Sequence, residues 1–204
     1  WASQYKKFIL KKLNKFSKNK EILSSHNNLK KNYDINIIFS YFKKIPEKYL
    51  KYSKFNLVPH ESDLPKGKGM SPLSWQILEN KNKISFSLIE ASSKIDNGLI
   101  YYKKNITISK SILLPQIKKI QLHENLKLIE KFLKNYKKYK KEPRGLKQIG
   151  MSSYYKKRNK KDSKLNINKS IKKQFNLLRT VDNNVYPAFF EIYGKKFFLR
   201  ISEK

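Results

Sequence analysis

The 204-residue sequence contains no cysteine. This absence excludes a disulfide framework, a thiolate metal site and a cysteine nucleophile, so we expect a scaffold held by a packed core in a reducing, cytoplasmic compartment. No apolar run approaches the ~18 residues that span a bilayer, and no signal-peptide stretch opens the chain, so we expect no membrane association. Of the three histidines, His26 and His123 show no pattern of partner ligands, and we predict no metal site.

Acidic residues are scarce. Lys and Arg number 47 against 15 Asp and Glu, a formal net charge of +32. A basic surface favours binding to polyanions. Only four of these residues are arginine, however, and arginine is the side chain best suited to phosphate forks and base reading. Lysine, asparagine, isoleucine, tyrosine and phenylalanine share AT-rich codons, so codon bias explains the composition about as well. A nucleic acid is therefore the less favoured partner.

The length favours one core with an appendage, and the hydrophobic pattern divides it into helices and strands. Helical spacing predicts an amphipathic helix from Ser3 to Phe16. Branched residues predict buried strands at 35–39 and 55–58, and a short helix that begins at Pro46 and runs through Leu50 lies between them. Strand, helix and strand in this order indicate a parallel pair. Alternation over 84–90 and strand character over 99–102 predict an antiparallel pair.

A loop at residues 59–69 follows the second strand and contains two prolines and two glycines. Open α/β sheets bind ligands at the carboxyl ends of their strands, so this loop is the first place to look for a site. Ser71 is a good helix N-cap and Pro72 a good first residue for a helix through Leu78.

The second half of the chain predicts one long helix and a small terminal unit. The long helix covers 112–136 and begins near Pro115. Residues 137–164 are dense in lysine with little periodicity, which indicates an exposed, partly mobile basic linker. Asn168 is expected to cap a helix through Arg179, and 188–192 to form a hairpin with 196–201. The predicted divisions are a catalytic core at 1–136, this linker, and a subdomain at 165–204.

His60 and Asp96 are the candidate catalytic pair. Each follows a predicted strand, so both could meet at one edge of the sheet. A carboxylate beside an imidazole fixes its tautomer, raises its pKa and prepares it for general acid–base work. The structural alternative is a loop histidine bonded to backbone and an aspartate in a β-turn. Spacing alone favours that alternative.

One block resembles the signature of the 10-formyltetrahydrofolate-dependent formyltransferases, which include methionyl-tRNA formyltransferase and sugar N-formyltransferases. It reads His60-x-Ser62-x-Leu64-Pro65-x-x-x-Gly69-x-x-Pro72-x-x-Trp75, followed by Ile95-Asp96-x-Gly98-x-Ile100. A second block, at 165–179, 186–190 and 194–196, resembles that family's terminal helix and hairpin. The resemblance implies an α/β fold, with a Rossmann-like core and a small C-terminal extension of one helix and a β-hairpin.

The resemblance also implies the reaction and the ligands. The donor would be 10-formyltetrahydrofolate, bound at the carboxyl edge of the sheet. His60 would help to deprotonate an acceptor amine or stabilise the tetrahedral intermediate, while Asp96 would orient and charge that histidine or relay the proton. The expected folate contacts are Tyr41, Ile45, Gly69, Glu90 and Ile95. The expected substrate contacts are Ser62, Lys66 and Lys68.

The sequence departs from the family at the oxyanion donor. The family carries an asparagine two residues before the histidine, where this chain has Val58, which offers no hydrogen bond. Asn56 is the catalytic candidate in its place, since a regular strand points it to the same face. Distortion at Pro59, the hydroxyl of Ser62 or a loop N–H are alternatives. The family's opening strand is not visible in the sequence from Trp1.

Three functions stay open. The segment after Lys137 is short, which favours a small acceptor, most simply the primary amine of a nucleotide-linked deoxyamino sugar. The alternative acceptor is an aminoacyl-tRNA held by the lysines at 137–173, which predicts steep salt dependence. The third reading, motivated by Val58, is a folate-binding homologue without catalysis. A homodimer is compatible with each.

Overall fold

The computed structural model describes residues 2–17, 19–142 and 144–203. Its strands are β1 (Tyr33–Ile37), β2 (Ser53–His60), β3 (Lys68–Gly69), β4 (Lys83–Glu90), β5 (Ile100–Thr107), β6 (Tyr154–Tyr155), β7 (Ala188–Ile192) and β8 (Lys195–Leu199). Its α-helices are α1 (Lys6–Leu13), α2 (Glu47–Leu50), α3 (Pro72–Leu78), α4 (Leu114–Lys134), α5 (Tyr136–Lys141) and α6 (Ile171–Leu178). Short 3₁₀ turns cover Ala2–Tyr5, His26–Asn28 and Lys160–Ser163.

The central sheet has four strands in the order β1-β2-β4-β5. β1 and β2 pair in parallel across the short helix α2, and β4 and β5 pair antiparallel, which confirms both predicted pairings. The predicted mixed α/β class is also confirmed. β2 lies between β1 and β4 in this order.

The main core lies between this sheet and α4. Ile117, Ile129 and Phe132 of α4 are almost fully buried against Leu57 of β2 and Phe86 of β4. Each such side chain contributes about 1.5–3 kcal/mol through its removal from water. The amphipathic segment predicted at 3–16 is present as a 3₁₀ turn followed by α1. Among the described residues no helix has both the length and the apolar character of a membrane span.

The loop predicted at 59–69 begins two residues later than expected, because β2 continues through Pro59 to His60. Pairing with β1 ends at Ile37 opposite Leu57, whereas pairing with β4 continues to His60 opposite Ser87. Proline has no N–H and cannot extend a ladder on the β1 side. Pro59 therefore ends the pairing of β2 with β1, while the pairing with β4 continues to His60. The predicted start of the loop at residue 59 was wrong.

Two predicted helix caps need correction. Ser71 stands at the N-cap of α3, but it lies in the left-handed region at φ 55° and its side chain makes no capping bond. At α6 the cap is Ser170, whose side chain accepts from the N–H of Lys173, and not Asn168. In both places the sequence pattern predicted the position of the helix. The local backbone conformation determines which groups bond to the free N–H groups of its first turn.

The segment at 137–164 is mostly exposed, as expected, but it has regular structure. It begins in α5, its Leu146 bridges to Ile100, and β6 pairs in parallel with β3. Residues 153–155 of this segment are therefore hydrogen-bonded along the loop after β2. The expectation of a linker with little structure was wrong at these residues.

The terminal unit contains the predicted helix and hairpin, although the second hairpin strand covers Lys195–Leu199 rather than 196–201. α6 packs beside the hairpin of β7 and β8 around a small core. That core contains Leu165, Leu178, Val181 and Ala188. Tyr193 and Gly194 form the two-residue turn, both with positive φ, a geometry that suits the right-handed twist of a hairpin.

Candidate active site

His60 is the last residue of β2, and its side chain is buried, with 6% of the residue exposed. Its Nε2 lies 2.9 Å from the carbonyl oxygen of Gly67. A carbonyl can only accept, so Nε2 must carry the proton and donate. In the neutral imidazole, Nδ1 is then the nitrogen with a lone pair. Nδ1 faces Asp96 Oδ2 at 3.6 Å.

Asp96 lies in the turn after β4, where its backbone has a φ of 46°. The left-handed region costs a residue with a side chain about 1–2 kcal/mol, so the surroundings must hold this conformation. Two contacts do so. The N–H of Gly69 donates to Asp96 Oδ2 at 2.8 Å, and the side chain of Gln148 donates to the Asp96 carbonyl at 2.8 Å. The predicted pair His60 and Asp96 is thus brought together.

The loop between them depends on two glycines. Gly67 and Gly69 have φ of 72° and 94°. A Cβ at Gly69 would lie 2.3 Å from the carbonyl oxygen of Tyr155, which no side chain could tolerate. The close approach arises because β6 runs against the loop, where the hydroxyl of Ser153 accepts from the N–H of Gly67 at 2.9 Å. The geometry of the pair therefore depends on residues about ninety positions away in the chain.

Lys68 is buried, with 1% of its surface exposed. Its ammonium donates to Asn97 Oδ1 at 2.6 Å, and no carboxylate lies within ion-pair distance among the described residues. Ser62 is also 1% exposed, and its hydroxyl has no partner within the described chain. Lys66 is exposed. Of the predicted substrate contacts, the structure thus leaves only Lys66 open to solvent.

Asn56 and Glu90 form a separate cluster in the first half of β2. The amide of Asn56 donates to the Leu50 carbonyl at 2.9 Å and accepts from Asn36 at 3.2 Å, while its backbone N–H donates to Glu90 Oε1 at 2.7 Å. Tyr101 donates its hydroxyl to the other oxygen of Glu90 at 2.9 Å. Burial raises the pKa of Glu90 to about 7, against the opposing effect of these hydrogen bonds.

The structure does not bring Asn56 to His60. Its amide oxygen and nitrogen are both engaged in the Glu90 cluster, and no hydrogen bond joins it to His60 within the described residues. Val58 lies between them along β2 and packs against Leu64, Ile89 and Ile100. Neither residue places a hydrogen-bond donor beside His60.

The predicted folate contacts are divided among three places. Glu90 lines an open cleft of about 410 Å³ beside α2 and the start of the turn after β4. Gly69 lies in the loop after β2, where its N–H donates to Asp96, and Ile95 is exposed in the turn after β4. Tyr41 and Ile45 do not line the cleft, and the hydroxyl of Tyr41 lies 2.7 Å from Nδ1 of His26.

Sequence reasoning missed several residues that support the pair. Gln148 and Ser153 stand in the lysine-rich segment, and nothing in their spacing marks them, because their contacts cross fifty or more positions of the chain. Glu61 is buried directly after His60. Its carboxylate accepts from Asn125 at 2.7 Å and its carbonyl from Gln76 at 2.6 Å, so the end of β2 is fixed to α3 and α4.

A buried histidine–aspartate pair, held by backbone groups on loops at the carboxyl end of a strand in a mixed α/β sheet, has the geometry that general acid–base chemistry requires. No family model matches the sequence. A curated protein is similar in sequence. The methionyl-tRNA formyltransferase of Buchnera aphidicola is 36% identical over 174 residues, which cover 82% of this chain and 53% of that protein. The chain thus spans about half the length of this relative.

Solved structures agree with the sequence comparison. Methionyl-tRNA formyltransferase from Clostridium thermocellum superposes with a TM-score of 0.69 at 21% identity, over 97% of this chain and 89% of that one. A sugar N-formyltransferase from Shewanella gives 0.64 at 18% identity, over 84% and 70%. HypX from Aquifex aeolicus, solved with tetrahydrofolic acid, gives 0.65 at 16% identity, over 82% and 29%. The chain is therefore similar to formyltransferases in sequence, over about half of the Buchnera protein, and in fold.

Proposed function

We propose that this protein transfers a formyl group from 10-formyltetrahydrofolate to the primary amine of a small acceptor, most simply a nucleotide-linked deoxyamino sugar. The observation that carries the proposal is the His60–Asp96 pair, with Nε2 of His60 fixed to the Gly67 carbonyl and Nδ1 turned toward the carboxylate. Formyl transfer to an amine needs one group that receives the amine's proton, and this arrangement supports that role.

In the proposed mechanism His60 acts through Nδ1. The acceptor amine attacks the formyl carbon, and Nδ1 receives the proton that the amine loses. Asp96 lies 3.6 Å from Nδ1 and stabilises the imidazolium that forms. The same proton is then available to the leaving nitrogen when its bond to the formyl carbon breaks. The folate supplies the formyl group and departs as tetrahydrofolate.

The cleft beside Glu90 supports folate binding. A pterin ring presents amino and amide N–H groups, and Glu90 is a half-buried carboxyl that can accept from such donors. Lys51 and Lys54 also line this cleft, and they suit the carboxylates of a folate tail. We therefore assign Glu90 and the lysine pair to the donor substrate.

Lys66 supports an anionic acceptor. It is exposed, belongs to no ion pair among the described residues, and precedes the glycine that orients His60. A free ammonium at this position suits the diphosphate of a nucleotide-linked sugar. On this proposal Lys66 holds the acceptor while His60 and Asp96 manage its proton.

Val58 motivates the alternative of a folate-binding homologue without catalysis. An oxyanion donor typically contributes about 3 kcal/mol or more to an acyl transfer, and valine offers none. The variant Val58→Asn separates the two readings, with Val58→Thr as a control for a polar group that is too short. Turnover by the wild-type protein supports the enzyme, whereas turnover that appears only in Val58→Asn supports the homologue.

An aminoacyl-tRNA acceptor is the second candidate, and two observations favour it. The net charge is +32, and the curated Buchnera relative is named methionyl-tRNA formyltransferase. Exposed lysines on α5 and after it could contact phosphates. A tRNA acceptor predicts that the KM rises steeply with salt, since each phosphate contact adds to the slope, whereas a single diphosphate predicts a shallow dependence.

The deciding experiment is a transfer assay with 10-formyltetrahydrofolate and a panel of nucleotide-linked 4-amino sugars and methionyl-tRNA, followed by tetrahydrofolate release and by mass of the formylated product. We expect formyl amide on a sugar. Product on methionyl-tRNA alone would establish the second candidate. No product on either, with tetrahydrofolate bound in a direct titration, would establish the homologue without catalysis.

A further inference from the structure

Gln148 joins the lysine-rich segment to the turn that carries Asp96. Its Nε2 donates to the Asp96 carbonyl at 2.8 Å and to the Gly98 carbonyl at 2.9 Å. Two carbonyl oxygens require a donor with two hydrogens between them, so the amide cannot be turned around. Gln148 Oε1 is buried without a partner in the described chain, which shows that the two donated bonds, and not the acceptor, fix this side chain.

These bonds act where the turn is strained. Asp96 keeps a left-handed backbone, and Gly98 passes so close to β4 that a Cβ there would lie 1.8 Å from the Glu90 carbonyl. The carbonyls on both sides of Asn97 would otherwise have to find water or other donors. The side chain of Gln148 donates to both carbonyls and so fixes the backbone of the turn. The N–H of Gly69 fixes the Asp96 carboxylate from the loop after β2.

We propose that Gln148 is a positioning residue for the His60–Asp96 pair. It sets the position of the Asp96 carboxylate through the backbone of the turn, and it does not itself touch the reacting atoms. The inference rests on the proposed function for its catalytic consequence, but its structural part stands without any substrate. A displacement of about 1 Å in a catalytic group can cost on the order of a hundredfold in rate.

The test compares three variants. Gln148→Met keeps the length of the side chain and removes both donors. Gln148→Glu keeps the shape and, when ionised, sets an acceptor against two carbonyl oxygens, so it should be the more damaging change. Lys147→Met is the matched control, because Lys147 is the exposed neighbour in the same segment and makes no hydrogen bond among those described.

The first readout needs no substrate. Amide hydrogen exchange at Gly69 reports its bond to Asp96, and exchange at Leu88 in β4 reports global stability. We expect faster exchange at Gly69 in Gln148→Met with Leu88 unchanged, and no change at either in Lys147→Met. Unchanged exchange at Gly69 in Gln148→Met would overturn the proposal, as would equal acceleration at Gly69 and Leu88, which indicates a general loss of stability.

The second readout is the split between kcat and KM on whichever acceptor the wild-type protein uses. We expect kcat to fall about tenfold to a hundredfold in Gln148→Met, and further in Gln148→Glu, with the KM for 10-formyltetrahydrofolate within about twofold. A kcat within twofold of wild type would overturn the positioning role. A wild-type protein inactive on every acceptor would contradict the proposed function instead, and exchange at Gly69 would still decide the structural part.

Discussion

Two regions of β2 each place a polar side chain beside a carboxylate, and the two arrangements differ. In the first half of the strand Asn56 has its amide and its backbone N–H engaged by Leu50, Asn36 and Glu90. At the carboxyl end His60 has one ring nitrogen fixed by a carbonyl and the other turned toward a carboxylate beyond ordinary hydrogen-bond distance. The side chain of Asn56 is held within the fold by its hydrogen bonds. The arrangement at His60 is the one on which the proposed acid–base role depends.

This contrast explains why a position on a strand face does not decide a role. Asn56, Val58 and His60 are two residues apart along the strand, and this spacing places all three on one face of the sheet. The partners that surround each residue decide what it can do. Separate substitutions in the two regions of β2 therefore test the contrast most directly.

The largest effect is expected for His60→Gln. The amide can still donate to the Gly67 carbonyl but cannot exchange a proton near neutral pH, so transfer should fall by about 10²–10⁴-fold with the thermal unfolding midpoint nearly unchanged. Steady-state kinetics and calorimetry check this. His123→Gln, an exposed histidine on α4, is the control and should keep full activity. Full activity in His60→Gln would remove His60 from the mechanism.

Asn56→Ala should show the opposite behaviour. The substitution leaves the Leu50 carbonyl without its donor, and we expect a loss of about 2 kcal/mol in the free energy of unfolding. Urea titration measures this loss, and the folded protein should keep its kcat within a fewfold. Asn184→Ala, at an exposed asparagine, is the control. A large fall in kcat at unchanged stability would restore Asn56 as the catalytic candidate.

Glu90 makes the stability contributed by the Asn56 region depend on pH. Its pKa is raised from 4.5 to about 7 by burial, so the folded state holds the proton more tightly than the unfolded state. The stability that Glu90 contributes is fully present below about pH 4.5 and is lost as the pH rises through about 7. Urea titrations should show the wild type losing stability relative to Glu90→Gln between pH 4.5 and 8. A constant difference between the two proteins would contradict this.

The smallest effect is expected for Tyr101→Phe. It removes one hydrogen bond to Glu90 and should cost about 1 kcal/mol. Because that bond favours the ionised carboxyl, its loss should move the pKa of Glu90 further upward. Carbon-detected NMR titration of the glutamate side chains measures the shift. A downward shift would show that the hydroxyl does not donate to this carboxyl.

Local patterns predicted the four strands of the central sheet, the long helix and the terminal hairpin because each depends on periodicity within a short window, whereas the short strands β3 and β6 were not predicted. The apolar runs of β2 and β4 and the turn at Tyr193 and Gly194 are of this kind. The end of the ladder at Pro59 was also readable in principle, since proline cannot donate. The cap at Ser170 was missed because two neighbouring polar residues compete for one role, and only the backbone decides between them.

The site was predictable only in part. His60 and Asp96 stood out because each follows a strand beside glycines, and the resemblance to a family paired them. The residues that hold them did not stand out. Gln148 and Ser153 act across fifty-two and eighty-six positions of the chain, and no local spacing encodes contacts of that range. The hydrogen bond between Asn56 and Glu90 likewise joins distant parts of the chain, so local spacing does not show it.

The parallel pairing of β3 with β6 has a consequence for synthesis on the ribosome. The loop that orients the imidazole leaves the exit tunnel long before the strand that supports it, because their pairing joins Lys68 to Tyr154. A nascent chain that stops short of β6 therefore contains the histidine and the aspartate without the strand that supports their loop. The backbone support of this loop is complete only after Tyr155 has left the ribosome, by which time all four strands of the central sheet have been synthesised.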